Sequence, residues 1–129
     1  MSKASILVVD DNEVVLEVTK AQLEDAGFSV AAVASPLKIN PAIREHEPDL
    51  ILLDVYMPVL SGRRTAEILR QYNISKDIPI LLFSGAEPDE LTEMAQDLGL
   101  AGFVRKSAPV EELVEKIELF IEDRGPTKL

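Results

Sequence analysis

Three aspartates stand directly after runs of mainly aliphatic residues in this sequence. Asp10 and Asp11 follow the run at 5–9, and Asp54 follows the run at 50–53. Such runs are typical of strands buried on both faces of a parallel sheet, so each charged side chain has to emerge where its strand ends. Two carboxylates about 4 Å apart repel each other by roughly 4 kcal/mol at an effective dielectric of about 20. Clustered aspartates therefore require a cation or raised pKa values.

Magnesium suits such a cluster, because it takes oxygen ligands, keeps several waters and usually couples one or two carboxylates to a phosphate. With a metal and the side chain of Lys106 offsetting negative charge, a carboxylate such as Asp54 can attack phosphorus and become an aspartyl phosphate. Ser84 would donate a hydrogen bond to a phosphoryl oxygen. These residue types indicate phosphoryl transfer to an aspartate.

Strand and helix patterns alternate along the chain, and this alternation has to position those side chains. Strands are expected at 5–9, 29–34, 50–53, 78–83 and 102–105. Five strands alternating with five helices predict an α/β protein, with a parallel sheet covered on both faces and right-handed crossovers. In the flavodoxin-like strand order 2-1-3-4-5 the first and third strands are neighbours. The aspartates then converge on one edge of the sheet, flanked by Ser84 and Lys106.

Apolar spacing predicts which face each helix buries. In the first helix Val14, Val18 and Ala21 repeat at i, i+4 and i+7. Prolines break up the segment before Glu47, so the second helix is expected to be short or irregular. A third helix is expected from 61 to about 71. The apolar stripes of the fourth and last helices are Leu91, Met94, Ala95 and Leu98, and Val110, Leu113, Val114, Ile117 and Ile121.

The composition limits the class of protein. A chain of 129 residues with 47% apolar content is long enough for one core and too short for two, so we expect one domain over residues 1–125 and a short tail at 126–129. The formal charge of −10 argues against binding to nucleic acid or to anionic membranes. No apolar run approaches the roughly 20 residues that span a bilayer, and a cytoplasmic protein is expected.

Four motifs in matching order and spacing resemble the receiver domain of bacterial response regulators. They are Asp10-Asp11, Leu53-Asp54-Val55-Tyr56-Met57-Pro58, Ser84-Gly85-Ala86 and Lys106. The resemblance covers residues from about 4 to 123. It implies a phosphoryl acceptor, not an enzyme in its own right, that takes its phosphoryl group on Asp54 from the phosphohistidine of a histidine kinase or from a phosphotransfer protein. No output domain is expected, so the signal has to leave through a partner protein or a phosphorylation-dependent homodimer.

The same resemblance implies a set of metal ligands. Asp11 and Asp54 would ligate Mg²⁺ directly, and Asp10 would help through a water molecule. The backbone carbonyl of Tyr56 would complete the protein ligands.

The resemblance also implies a switch. Lys106 and Ser84 would contact the phosphoryl group, and Phe103 matches the aromatic switch position. Output would pass through the face made by the fourth helix, the fifth strand and the last helix. One position departs from the family, because receivers commonly have proline directly after the lysine and Ser107 stands there. A cis peptide before serine would cost about 2.5 to 4 kcal/mol, so the backbone at this point is left open.

Other functions compete with this interpretation. The chain could be an interaction module that is never phosphorylated, or a magnesium-dependent phosphatase with an aspartyl nucleophile. Such a phosphatase would need a second acid two residues after Asp54, where Tyr56 stands. Nucleotide binding is disfavoured, because neither G-x-x-x-x-G-K-[ST] nor G-x-G-x-x-G follows the first strand. An acid at 10 or 11, or Asn12, could simply cap the first helix.

Overall fold

The computed structural model of the chain describes residues 4–54, 64 and 78–124, without the side chains of residues 36, 98 and 122–124. Its strands are β1 (Ser5–Val9), β2 (Ser29–Val33), β3 (Leu50–Leu53), β4 (Ile80–Ser84) and β5 (Gly102–Arg105). Its helices are α1 (Glu13–Asp25), a 3₁₀ turn (Pro36–Lys38), α2 (Ile39–His46), α3 (Pro88–Leu98) and α4 (Val110–Arg124). The helix expected from 61 to 71 lies outside the described residues apart from Arg64, which is helical.

The strands form one parallel sheet in the order β2-β1-β3-β4-β5. This confirms the predicted flavodoxin-like topology. The central strands β1 and β3 bury every apolar side chain, which explains their uninterrupted aliphatic sequences. Strand β4 begins two residues later than expected, after Pro79, whose carbonyl accepts a hydrogen bond from the Ile51 amide at 3.0 Å.

Side chains alternate between the two faces of the sheet and build a separate core on each. On one face Leu7, Val9, Ile51 and Leu53 pack with buried residues of α2 and α3. The opposite core contains Ile6, Val8, Leu50 and Leu52 together with buried residues of α1 and α4. Helices therefore cover both faces, as the alternation of elements predicts.

Helix α1 buries a different face from the one that the sequence predicts. Leu16, Thr19 and Leu23 are its buried residues, whereas Val14 and Val18 are 69% and 50% exposed. The prediction of a buried Val14, Val18 and Ala21 stripe is wrong. The true stripe includes a threonine, so its apolar character is interrupted in the sequence.

The remaining helices that the structure describes follow their predicted patterns. Helix α3 is the fourth helix of the sequence prediction, and its Leu91 and Ala95 are buried. Gly99 ends it with a φ of 67°, a left-handed conformation that favours glycine. In α4, Leu113 and Ile117 are buried. The segment before Glu47 is irregular as expected, since a 3₁₀ turn precedes the short helix α2. Within the described ranges, no helix combines the length and apolar character that a membrane span requires.

Candidate functional site

The carboxyl ends of two neighbouring central strands hold the aspartates. Asp10 follows β1 and Asp54 follows β3, and these strands pair in parallel. The backbone ladder continues past the strand ends, because the Asp54 amide donates to the Val9 carbonyl at 2.9 Å. The Asp10 amide donates to the Val33 carbonyl of β2 at 3.3 Å. Both aspartates are thus fixed by the sheet itself.

The structure brings together the three aspartates of the predicted metal site. Carboxylate oxygens of Asp10, Asp11 and Asp54 all lie within 4.8 Å of one another. The side chains differ in burial, since Asp10 and Asp54 are only 1% and 5% exposed whereas Asp11 is open to solvent. Three acids so close together are a candidate site for a hard cation, with Asp11 on its solvent side.

Lys106 at the end of β5 reaches into this cluster. Its Nζ lies 2.6 Å from Asp10 Oδ2 and 3.7 Å from Asp54 Oδ2. The Lys106 amide donates to the Ser84 carbonyl at 2.8 Å, which ties the start of the following turn to the end of β4. The Lys106–Ser107 peptide is trans, as is every described peptide bond.

The two oxygens of Asp10 have different surroundings. Oδ1 accepts a hydrogen bond from the Asn12 amide at 3.0 Å. Oδ2 is fully buried and, beyond its ion pair with Lys106, has no hydrogen-bond partner of good geometry among the described residues. The ammonium group of Lys106 therefore offsets the charge of this buried oxygen.

Asn12, and not an aspartate, caps helix α1. Its side-chain oxygen accepts hydrogen bonds from the amides of Val14 and Val15 at 3.0 and 3.1 Å. This leaves the side chains of Asp10 and Asp11 outside the cap.

Ser84 lies beside the cluster at the end of β4 and is fully buried. Its Oγ accepts a hydrogen bond from the Ala86 amide at 3.1 Å, so it also shapes the turn after the strand. The hydroxyl proton is not used in this bond. Ser84 therefore combines a turn role with a proton that it can donate elsewhere.

Phe103 is half-buried on the edge strand β5, where it packs against the core on the α2 and α3 face. Tyr56, the remaining predicted site residue, lies outside the described residues.

Sequence reasoning missed two basic residues near Phe103. Lys116 Nζ donates to the Phe103 carbonyl at 3.0 Å and lies 5.3 Å from the centre of its ring, and Arg105 Nε donates to the Ala86 carbonyl at 3.2 Å. Bonds between distant elements leave no local signal that could have revealed them.

A groove of about 270 Å³ opens beside Lys106. Its walls include the exposed Val14 and Val18 of α1, together with Phe83 and Ala108. The apolar residues that α1 does not bury thus lie next to the acidic cluster.

Comparison with known proteins identifies the family. The sequence model of the response regulator receiver domain matches residues 6–118. The polar-differentiation response regulator DivK of Brucella ovis is 26% identical over 119 residues, which cover 92% of this chain and 97% of DivK. The phosphate regulon transcriptional regulatory protein PhoB of Pseudomonas aeruginosa is 28% identical over 122 residues, or 95% of this chain. The chain spans 53% of the length of PhoB.

Solved structures show the same likeness. The chemotaxis protein CheY4 of Vibrio cholerae matches with a TM-score of 0.83 and 25% identity over 92% of this chain and 99% of that one. A LuxR-family two-component response regulator from Aurantimonas sp. matches with a TM-score of 0.83 and 29% identity over 95% of this chain and 87% of that one. Receiver domains are signalling modules that bind Mg²⁺ at an acidic pocket and interact with histidine kinases or phosphotransfer proteins and with downstream targets. The chain belongs to the response regulator receiver domain family.

Proposed function

We propose that this chain accepts a phosphoryl group on Asp54, from the phosphohistidine of a histidine kinase or a phosphotransfer protein, in a Mg²⁺-dependent reaction. The observation that carries the proposal is the position of Asp54. This buried carboxylate ends a central strand, lies within 4.8 Å of two other acids and has an ammonium group 3.7 Å away. The chain acts as a phosphoryl acceptor that assists its own modification, and not as an enzyme with a separate substrate.

The acidic cluster fits magnesium. Asp11 and Asp54 would hold the ion directly, Asp10 would act through a water molecule, and the backbone carbonyl of Tyr56 would complete the set. The fit rests on three convergent carboxylates, of which Asp11 is open to solvent. When bound, the ion supplies positive charge that offsets the aspartates and the phosphoryl oxygens.

The chain's own residues then have distinct tasks. A carboxylate oxygen of Asp54 forms the new bond to phosphorus as the P–N bond of the phosphohistidine breaks, and the bonding electron pair stays with the imidazole. The ammonium group of Lys106 stabilises the charge on the phosphoryl oxygens. Ser84, whose proton is not used by the turn, donates that proton in a hydrogen bond to one of those oxygens.

The donor protein has to bring its histidine to the carboxyl edge of the sheet. The groove beside Lys106 supplies an apolar contact surface at that edge through Val14 and Val18. We place the donor there, because Lys106 lines this groove and also pairs with the aspartates of the phosphoryl site.

The signal leaves through what we call the output face, which comprises residues 88–98, 102–105 and 110–121. Phe103 lies on this face. Phosphorylation of Asp54 would change the packing of Phe103 through Ser84. A downstream protein or a second copy of the chain would dock there after phosphorylation. We propose one receiver domain over residues 1–125, with a short tail at 126–129.

Intact-mass spectrometry tests the proposal. The protein is incubated with acetyl phosphate and Mg²⁺, and a parallel sample receives EDTA in excess of the metal. We expect a mass increase of one phosphoryl group in the first sample and none in the second. A chain whose mass stays unchanged with Mg²⁺ would contradict the proposed function.

A further inference from the structure

Within the described residues, few side-chain hydrogen bonds hold the turn that carries Ser84. Gly85 is exposed, and a Cβ atom built on it would meet nothing within 4 Å. The next helix, α3, starts from Glu87, whose side chain makes no capping hydrogen bond. Pro88 then occupies the first helical position and has no amide proton to donate. Ala86 packs against the core, but no capping side chain of the following helix fixes the turn at 84–86.

Arg105 supplies an attachment from the neighbouring strand. It pairs directly with Ser84 in the register of β4 and β5. Its Nε donates to the Ala86 carbonyl at 3.2 Å, while the Ala86 amide donates to Ser84 Oγ at 3.1 Å. The backbone amide and carbonyl of Ala86 are thus both hydrogen-bonded. These contacts connect Arg105 through Ala86 to the Ser84 hydroxyl.

This arrangement decides where the Ser84 proton points. With one lone pair of Oγ taken by the Ala86 amide, the hydroxyl proton is confined to the remaining directions. Movement of Ala86 would release the hydroxyl to rotate freely. A hydrogen bond that holds the Ala86 carbonyl therefore also holds the serine in its orientation.

We infer that Arg105 is a positioning residue for the phosphoryl site, which fixes the Ser84-Gly85-Ala86 turn so that Ser84 presents its proton to the phosphoryl group. The inference rests on the proposed function for its effect on phosphorylation. The structural half of the inference is that Arg105 holds the turn. It does not depend on the proposed function.

Hydrogen exchange in the unmodified protein tests the structural half. Arg105→Met keeps an aliphatic chain and removes the donor, and Arg105→Lys keeps the charge but moves the donor. Arg44→Met serves as the control, because Arg44 lies exposed on α2. We expect the Ala86 amide to exchange about fivefold faster or more in Arg105→Met, with Arg44→Met unchanged. Unaltered exchange and chemical shift at Ala86 in Arg105→Met would overturn the inference.

A double-mutant cycle tests the functional half. We expect Arg105→Met to slow phosphorylation by acetyl phosphate about three- to tenfold, because misplaced groups lose much of their effect. Arg105→Lys should rescue it only partly, since it restores charge without the Nε geometry. In a Ser84→Ala background, Arg105→Met should have no further effect. An equal loss in both backgrounds would show that Arg105 acts only as general support and would overturn its action through Ser84.

The two proposals fail in different ways. A wild-type chain that takes up no phosphate would overturn the proposed function and the functional half of this inference. The exchange rate at Ala86 would still decide whether Arg105 holds the turn. Thermal unfolding of each variant checks that the fold is kept, and the Ser84→Ala background controls for any general loss of stability.

Discussion

The Nζ of Lys106 lies 2.6 Å from Asp10 Oδ2 but 3.7 Å from Asp54 Oδ2. In the unmodified protein the lysine thus pairs more closely with Asp10 than with Asp54. Asp10 is also the more buried partner, so its charge depends more on the ion pair. Phosphorylation of Asp54 would add negative charge near the ammonium group and draw it towards the new phosphoryl oxygens.

Removal of the Lys106 charge should change the affinity for magnesium and the rate of phosphorylation in opposite directions. We expect Lys106→Met to slow phosphorylation by acetyl phosphate about tenfold or more, because a preorganised cation is lost. Magnesium should bind about severalfold more tightly, since no ammonium group competes for the carboxylates. Isothermal titration with Mg²⁺ and timed mass spectra measure the two effects. Lys20→Met, at an exposed position of α1, is the matched control, and weaker Mg²⁺ binding in Lys106→Met would contradict the account.

Magnesium should stabilise the fold. At a concentration about 100 times its Kd, a ligand that binds only the native state adds about 2.7 kcal/mol to the free energy of unfolding. For a domain of this length we expect a rise in Tm on the order of 10 °C. Asp11→Asn should remove most of this rise, whereas Asp25→Asn, which also removes an exposed carboxylate, should keep it. Equal rises in both variants would exclude Asp11 as a ligand.

The lifetime of the aspartyl phosphate should depend on Tyr56. Two residues after the acceptor, its ring is expected to obstruct the water that hydrolyses the phosphoryl group. We expect Tyr56→Asn to shorten the half-life of the phosphorylated chain, as followed by mass spectrometry after removal of the phosphodonor. An unchanged or longer half-life would discard this role.

Activation should alter the output face. Phe103 pairs in register with Leu82, two residues before Ser84, so movement of the Ser84 hydroxyl towards the phosphoryl group would open space near the ring. We expect beryllofluoride, which mimics the aspartyl phosphate, to perturb backbone NMR shifts across residues 88–98, 102–105 and 110–121. The same reagent with Asp54→Asn is the control. Perturbations limited to the surroundings of Asp10, Asp54 and Lys106 would contradict this route.

Much of the fold could be predicted from the sequence, because β1 and β3 are buried on both faces and show it as unbroken aliphatic runs. The convergence of Asp10, Asp11 and Asp54 then follows from the strand order. The buried face of α1 could not be predicted, since Thr19 is polar but buried and Val14 is apolar but exposed. Apolar spacing indicates the buried face of a helix only where the core positions are apolar. The prediction fails where a polar residue occupies a core position.

The finer contacts of the site could not be predicted for a different reason. The bond from Arg105 to the Ala86 carbonyl spans 19 positions of the chain, and that from Lys116 to the Phe103 carbonyl spans 13. Side chain to carbonyl bonds of this kind depend on the final packing of strands and helices and not on residue spacing. The choice of Asn12 as helix cap was likewise open until its amide contacts were seen.

The central claim is that Asp54 is the phosphoryl acceptor, and intact mass after treatment with acetyl phosphate and Mg²⁺ tests it most directly. The comparison is between the wild-type chain, Asp54→Asn and Asp25→Asn, which removes one carboxylate at an exposed position of α1. We predict a gain of one phosphoryl group in the wild type and in Asp25→Asn, and none in Asp54→Asn. Phosphorylation of Asp54→Asn to the wild-type extent would contradict the account.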